Sequence, residues 1–188
     1  MSFKIRDFAS GYAGRVIRED KDEDTIGKIL RRDLKAVANL YVNAFTKPPW
    51  NQKITYDDAE SIIANIPAKP GYDGLVAEAD EKIVGFSFVH KLPRRGHEFL
   101  DPVVRRPFLY GADLAVDEDY RRQGIGEALM NERIRRAKEK KFNQLVGRTE
   151  ETAKDIIALY GKLGFVRSEV KDPKDTEGVW FVKDLQRA

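Results

Sequence analysis

With 188 residues, 41% hydrophobic and 35% charged, the chain is long enough for one sizeable core, too short for two ordinary domains, and heavily ionised at its surface. Its net charge of +3, left over from 34 basic and 31 acidic residues, is too small an excess to argue for nucleic acid as a partner. Zero cysteines exclude disulfides, thiolate metal sites and a cysteine nucleophile, and two histidines, His90 and His97, disfavour a histidine-built zinc site.

Residues 1–24 mix charge, glycine and a few aromatics without periodicity. They read as a loop-rich N-terminal extension ahead of a domain spanning 25–188, with the block from Arg18 to Asp24 as solvated loop. Thr25 to Arg31 reads as a first strand. Leu34, Val37, Tyr41, Ala44 and Phe45 then recur at helical spacing until Pro48-Pro49 ends the helix. Thr55, with Asp58 three residues on, signals a second helix whose apolar face holds Ala59, Ile62, Ile63 and Ile66. The runs 72–79 and 82–91, joined by Asp80-Glu81, predict an antiparallel hairpin. After an irregular segment, Leu92 to Pro107, come a strand from Phe108 to Val116 and a helix from about Arg122 to Lys140. Ile125, Leu129, Ile134 and Ala137 face inward on that helix. A strand at 145–149, a helix at 152–162 and strands at 165–170 and 179–183 complete the order β-α-α-β-β-β-α-β-α-β-β. That order predicts an α/β fold: a single domain with a mixed, largely antiparallel sheet flanked by helices. The unit from Phe108 to Thr149 is expected to be a right-handed parallel crossover.

No stretch approaches the roughly 20 apolar residues that span a bilayer. The first residues also lack the apolar core of a signal peptide, so no membrane association and a cytoplasmic location are expected.

The run from Leu114 to Met130 carries the chemistry. An apolar strand end meets an acidic turn, then Arg121 and Arg122, then Gly124 and Gly126, then a helix. Unpaired N–H groups and the helix dipole make such a start an anion site. Glycines let a phosphate approach the main chain, and arginines add charge-assisted hydrogen bonds. A tight strand-to-helix turn with no ligand would have the same glycines.

Arg121-x-x-Gly124-x-Gly126 behind Leu114-Ala115-Val116 resembles the acyl-CoA motif of the GCN5-related N-acetyltransferase (GNAT) family. The stretch Tyr160-x-x-Leu163-Gly164-Phe165 resembles that family's second familiar motif, in the expected order. The resemblance covers about Thr25 to Leu185. It implies acetyl-CoA as co-substrate, a primary amine as acceptor, and no metal. Leu114, Ala115 and Val116 would run along the pantetheine arm. Arg121, Arg122, Gln123, Gly124, Ile125, Gly126 and Glu127 would surround the phosphates.

Tyr160 resembles the family's general acid, although its apolar neighbours Ile156 and Ile157 allow simple packing. Asp113 is the candidate base; it could equally hold the amine as an ammonium or satisfy a backbone group, and Glu78 is a weaker candidate. The family often has asparagine seven residues before the tyrosine; here Ala153 stands there, with Thr149 or Thr152 as possible substitutes.

Trp50, beside Pro48-Pro49, is a candidate wall of the acceptor pocket or a loop anchor on the core. The 92–107 segment reads as a lid, with Arg94-Arg95 and Arg105-Arg106 as a clamp for an acidic substrate or as solvated loop. The family often forms homodimers. A CoA-binding sensor or partner-binding module without transfer is the alternative reading.

Overall fold

Strand and helix periods separate cleanly along the chain. The computed structural model describes residues 2–8, 23–175 and 177–186. Its elements are β1 (Lys4–Asp7), α1 (Glu23–Phe45), α2 (Tyr56–Asn65), β2 (Asp73–Ala79), β3 (Lys82–His90), β4 (Phe108–Val116), α3 (Ile125–Glu139), β5 (Gln144–Glu150), α4 (Lys154–Lys162), β6 (Val166–Ser168) and β7 (Gly178–Asp184). The strands form one sheet in the order β1-β2-β3-β4-β5-β7-β6. Every neighbouring pair is antiparallel except β4 and β5, which α3 joins as a parallel crossover. This is the mixed, helix-flanked α/β sheet that the sequence predicts.

Alternation along the strands sorts the core into two layers. On one face, Val37, Tyr41 and Phe45 of α1 and Ala59 and Ile63 of α2 pack on Val76, Phe86 and Phe88. On the other, Ile125 and Leu129 of α3 cover Leu75 and Val84, while Met130, Ile134 and Tyr160 cover Leu109, Leu145 and Phe181. Phe86 and Phe88 are fully buried, each stabilising the fold by about 2–3 kcal/mol. The capping box expected at Thr55 is present: its hydroxyl accepts from the Asp58 N–H (3.2 Å) and Asp58 Oδ2 accepts from the Thr55 N–H (3.0 Å).

One expectation near the N-terminus is corrected, and one element not expected there is present. The strand expected at Thr25 to Arg31 is helix, the first turns of α1. Ile26, Leu30, Leu34 and Val37 continue one helical spacing, and extending a helix is easier than nucleating a new element. The edge position is taken instead by β1, which pairs Lys4 to Asp7 with Glu78 to Leu75. The stretch 1–24, expected to be loop-rich, therefore contains a strand. It is short and held by charge: Arg6 donates to Glu78 (2.7 Å) and to the buried Asp33 (2.6 Å), so no apolar run announces it. Residues 9–22, with most of the charged block, lie outside the described residues.

Candidate active site

The site is built where the sheet parts. The β4–β5 ladder runs from Phe108 opposite Gln144 to Gly111 opposite Gly147 and stops. Beyond that rung β4 stays with β3 as far as Val116, and β5 stays with β7 as far as Glu150. Opposite β3, Val89 faces Gly111 and Phe88 faces Asp113, so Ala112 is an extra, bulged residue. The bulge reverses the alternation. Leu109 packs under α3, whereas Asp113, four residues on, meets Tyr41 of α1. Past the parting, Asp113 to Val116 have no strand partner on the β5 side among the described residues, an edge suited to pairing with the amides of an extended ligand.

At the end of that edge lies the turn singled out in the sequence. Asp117 caps a 3-10 turn at Glu118–Tyr120, its carboxylate accepting from the Asp119 N–H (3.0 Å). Arg122 (φ 60°) and Gly124 (φ 82°) then adopt left-handed conformations that swing the chain into α3. The helix starts at Ile125 rather than near Arg122 as expected, because these two residues cannot continue a right-handed helix. Its Ala128 N–H bonds to the Gly124 carbonyl (2.9 Å), leaving the N–H groups of Ile125, Gly126 and Glu127 ahead of the first turn. A Cβ on Gly124 would point into open space, and one on Gly126 would make only ordinary contact with Val116 and Leu159.

Turn and edge border a cleft of about 510 Å³. Leu114, Ala115, Val116, Arg121, Arg122, Gly124, Ile125, Gly126 and Glu127 line one side, and Thr152 to Ile156 with Leu159 line the other. Gln123 is not part of this lining; its side-chain amide donates to the Asp119 carbonyl (3.4 Å). Arg121 Nε donates to the Val116 carbonyl (3.1 Å), and Arg122 reaches across to Asp155 (2.8 Å). Ala153 is buried at the start of α4 and gives that helix no side-chain cap.

A second cavity of about 190 Å³ opens on the parting itself. Trp50 borders both spaces while standing edge-on against Phe45 (5.3 Å), so it is wall and loop anchor together. Asp113 lines the small cavity, its Oδ1 accepting from the Tyr41 hydroxyl (3.4 Å). Burial pushes its carboxyl up to about 6, while the charges of Arg133 and Lys69 and the Tyr41 hydrogen bond pull the other way. Tyr160 enters from α4, its ring packed on Phe165 (4.8 Å) and Phe181 (5.0 Å) and its phenol lying over Gly147. Burial raises its pKa and the Arg133 charge opposes the rise, so the phenol is protonated at neutral pH. Among the described residues its hydroxyl has no hydrogen-bond partner.

The sequence reading missed Tyr110, Arg133 and Arg148, which line this cavity, and Tyr41, which bonds Asp113 from α1; Thr149, named as a substitute for the family's asparagine, does line it. Arg133 was legible in principle: it lies one helical turn from Met130 and Ala137, on the buried stripe of α3. Glu78 stands away from the site, bound to Arg6 at the sheet edge. The 92–107 segment is no lid. Its Leu100 and Val104 cover Phe108, Val146 and Trp180, and none of its residues lines either cavity. Three of its four arginines pair within the surface, Arg94 and Arg106 with Asp101, and Arg105 with Asp184.

The sequence profile of the acetyltransferase (GNAT) family matches residues 34–165. The chain belongs to that family. Human N-acetyltransferase 8 is 30% identical over 125 residues, 65% of this chain and 52% of the relative; the chain thus spans about half the length of the curated relatives it matches best along its own length. Among solved structures, the ribosomal-protein-S18-alanine N-acetyltransferase from Escherichia coli has a TM-score of 0.64 at 18% identity, covering 100% of this chain and 96% of that one. A family member from Elizabethkingia anophelis with acetyl-CoA bound has a TM-score of 0.57 at 15% identity, with 97% of each chain covered. Both likenesses speak to the fold. In this family member no helix among the described residues is long and apolar enough to cross a membrane.

Proposed function

We propose that this chain is an acetyl-CoA-dependent N-acetyltransferase that moves an acetyl group directly onto a primary amine. The observation that carries the reading is the adjacency of the two cavities, which share Trp50, Leu114 and Ile156 as lining. A diphosphate-sized turn, an unpaired strand edge, and a carboxylate and phenol at the parting lie along one path. The residues fit the donor part by part. The N–H groups of Ile125, Gly126 and Glu127, with Arg121 and Arg122, suit the phosphates. The backbone of Asp113 to Val116 suits the amides of the arm.

The donor supplies an activated acyl group as a thioester. The chain's own part is positioning and proton transfer. Asp113 Oδ accepts the proton that the amine sheds as the new N–C bond forms. The Tyr160 hydroxyl donates a proton to the sulfur as the C–S bond breaks, and solvent restores both groups. Such acid and base assistance is worth about 10²–10⁴-fold each. Trp50 forms the wall between the donor cleft and the amine's side.

Release of free thiol from acetyl-CoA across a panel of primary amines, with calorimetry for CoA itself, tests the reading. Amine-dependent release is expected. Absence of CoA binding would overturn the proposal, and binding without turnover on any amine would mark a CoA-binding module instead.

A further inference from the structure

Arg133 is a charge inside the core. It projects from α3, is 4% exposed, and no carboxylate of the described residues lies within 4 Å of it. An arginine does not shed its proton, so this charge is permanent and its burial demands compensation. Compensation comes from dipoles: Nε donates to Ser87 Oγ (2.8 Å), one terminal nitrogen to Met130 Sδ (3.3 Å), and the other to the carbonyls of Phe88 (3.2 Å) and Asp113 (2.9 Å). Phe88 and Asp113 are the pair flanking the bulge at Ala112. Bulges leave ladder groups unpaired, and here one guanidinium nitrogen bridges the two carbonyls while Nε anchors the group on Ser87. Gly111, on the other flank, makes room for it: a Cβ there would lie 2.6 Å from a terminal nitrogen.

We propose that Arg133 is a positioning residue for the transfer reaction. Its fork fixes the bulge that turns Asp113 toward α1 and the small cavity, and its charge supports the ionised carboxylate there. This rests on the reading of Asp113 as the base. A slip of the bulge by one residue would return Asp113 to the α3 face, because strand alternation has a period of two. The charge acts within a crowded set. Asp113 is faced by Tyr41 of α1, Lys69 after α2, Tyr110 of β4 and Arg133 of α3, with Arg148 of β5 and Tyr160 of α4 on the same cavity. Of the three basic groups, Arg148 is already paired with Glu150 and Asp175, and Lys69 is exposed with its Nζ against His90 (3.4 Å). Arg133 is the buried one.

The test compares Arg133→Met with Arg133→Lys, following the pH dependence of kcat/KM and, independently of turnover, the carbon-13 titration of the Asp113 carboxyl. Arg133→Met is expected to move the acidic limb and the Asp113 titration upward by about one unit, with CoA affinity unchanged. Arg133→Lys is expected to keep the limb near its wild-type place but lower the plateau by about tenfold, because a single ammonium nitrogen cannot bridge the two carbonyls and hold the Ser87 hydroxyl in the guanidinium's fixed geometry. A plateau loss in Arg133→Met with limb and titration unmoved would overturn the proposal. Should Arg133→Met not fold, Ser87→Ala, which removes one anchor of the guanidinium, decides: a smaller upward shift supports the inference and an unmoved titration overturns it. If the wild-type protein acetylates nothing, the functional reading fails by itself, while the carboxyl titration still decides the role of Arg133.

Discussion

Gly111 and Gly147 face each other across the last rung of the β4–β5 ladder, and each leaves a vacancy that another side chain fills. A Cβ on Gly111 would crowd the Arg133 guanidinium, and one on Gly147 would lie 2.7 Å from the Tyr160 ring carbon that bears the hydroxyl. A guanidinium and a phenol thus sit side by side over the point where the strands part.

Gly147→Ala is therefore expected to displace the Tyr160 hydroxyl without touching the diphosphate turn. Displacement of a reacting group by about 1 Å costs on the order of 10²-fold in rate. Steady-state kinetics should show that loss in kcat, with the CoA dissociation constant from calorimetry within a few-fold of wild type.

Tyr160→Phe separates chemistry from packing. The ring stays against Phe165 and Phe181, and the lost hydroxyl had no partner, so Tm is expected to hold or rise. The rate should drop by about 10²–10⁴-fold. An unchanged kcat would make Tyr160 a packing residue only.

Asp113 sets two pH dependences. As a base it works ionised, so kcat/KM is expected to rise with pH through an apparent pKa of about 6, and Asp113→Asn should abolish that limb along with most activity. For stability the sign is opposite. A carboxyl raised from 3.8 to about 6 on folding favours the folded state only while protonated, and that advantage is lost as pH rises through about 6. Asp113→Asn is thus expected to be more stable than wild type at pH 8, by about 2 kcal/mol once solvent reaching the cavity is allowed for, and nearly equal to it at pH 4. Denaturant titrations at the two pH values check this.

Gly124→Ala tests the turn. With φ at 82° an alanine is strained by roughly 1 kcal/mol, yet its Cβ meets no protein atom. A small fall in Tm with a CoA affinity weakened by about tenfold or more is expected, because the added methyl occupies the anion's approach. Gly126→Ala, at an ordinary backbone angle, should cost less stability.

Arg122 and Asp155 pair across the mouth of the large cleft, 82% and 75% exposed. Asp155→Asn frees the guanidinium and removes a negative charge from the phosphate approach. CoA is expected to bind about two- to fivefold tighter at low salt, with the difference vanishing at high ionic strength. Calorimetry at two salt concentrations reads it.

Much of this was legible in the sequence because local rules agreed with the fold. The turn from Asp117 to Gly126 was readable from residue types alone, since glycine and a helix start mean the same thing in any context. Tyr160 was nameable through the resemblance of Tyr160-x-x-Leu163-Gly164-Phe165 to the family motif, and Asp113 because it precedes the strand end that the motif places beside the donor. Ala112 was not legible as a bulge: nothing in Gly111-Ala112-Asp113 says which residue lacks a partner, since that depends on β3. Arg133 lies on a stripe that the helical spacing reveals, but its type argues against burial, because an arginine on a helix is ordinarily solvated and the room Gly111 leaves for it depends on β4. The strand at Lys4 to Asp7 was hidden by its length and by anchoring through Arg6 to residues distant in sequence.

The parting of β4 from β5 also has a mechanical side. Among the described residues, the four residue pairs from Phe108–Gln144 to Gly111–Gly147 are the only ladder rungs between the β1 to β4 half, with α1 and α2 on it, and the half-sheet of β5, β7 and β6, with α3 packed across both. The pocket is the open end of that seam. A ligand that pairs with Asp113 to Val116 and also touches α4 would act as a brace between the two halves, so occupancy and rigidity of the sheet are expected to rise together.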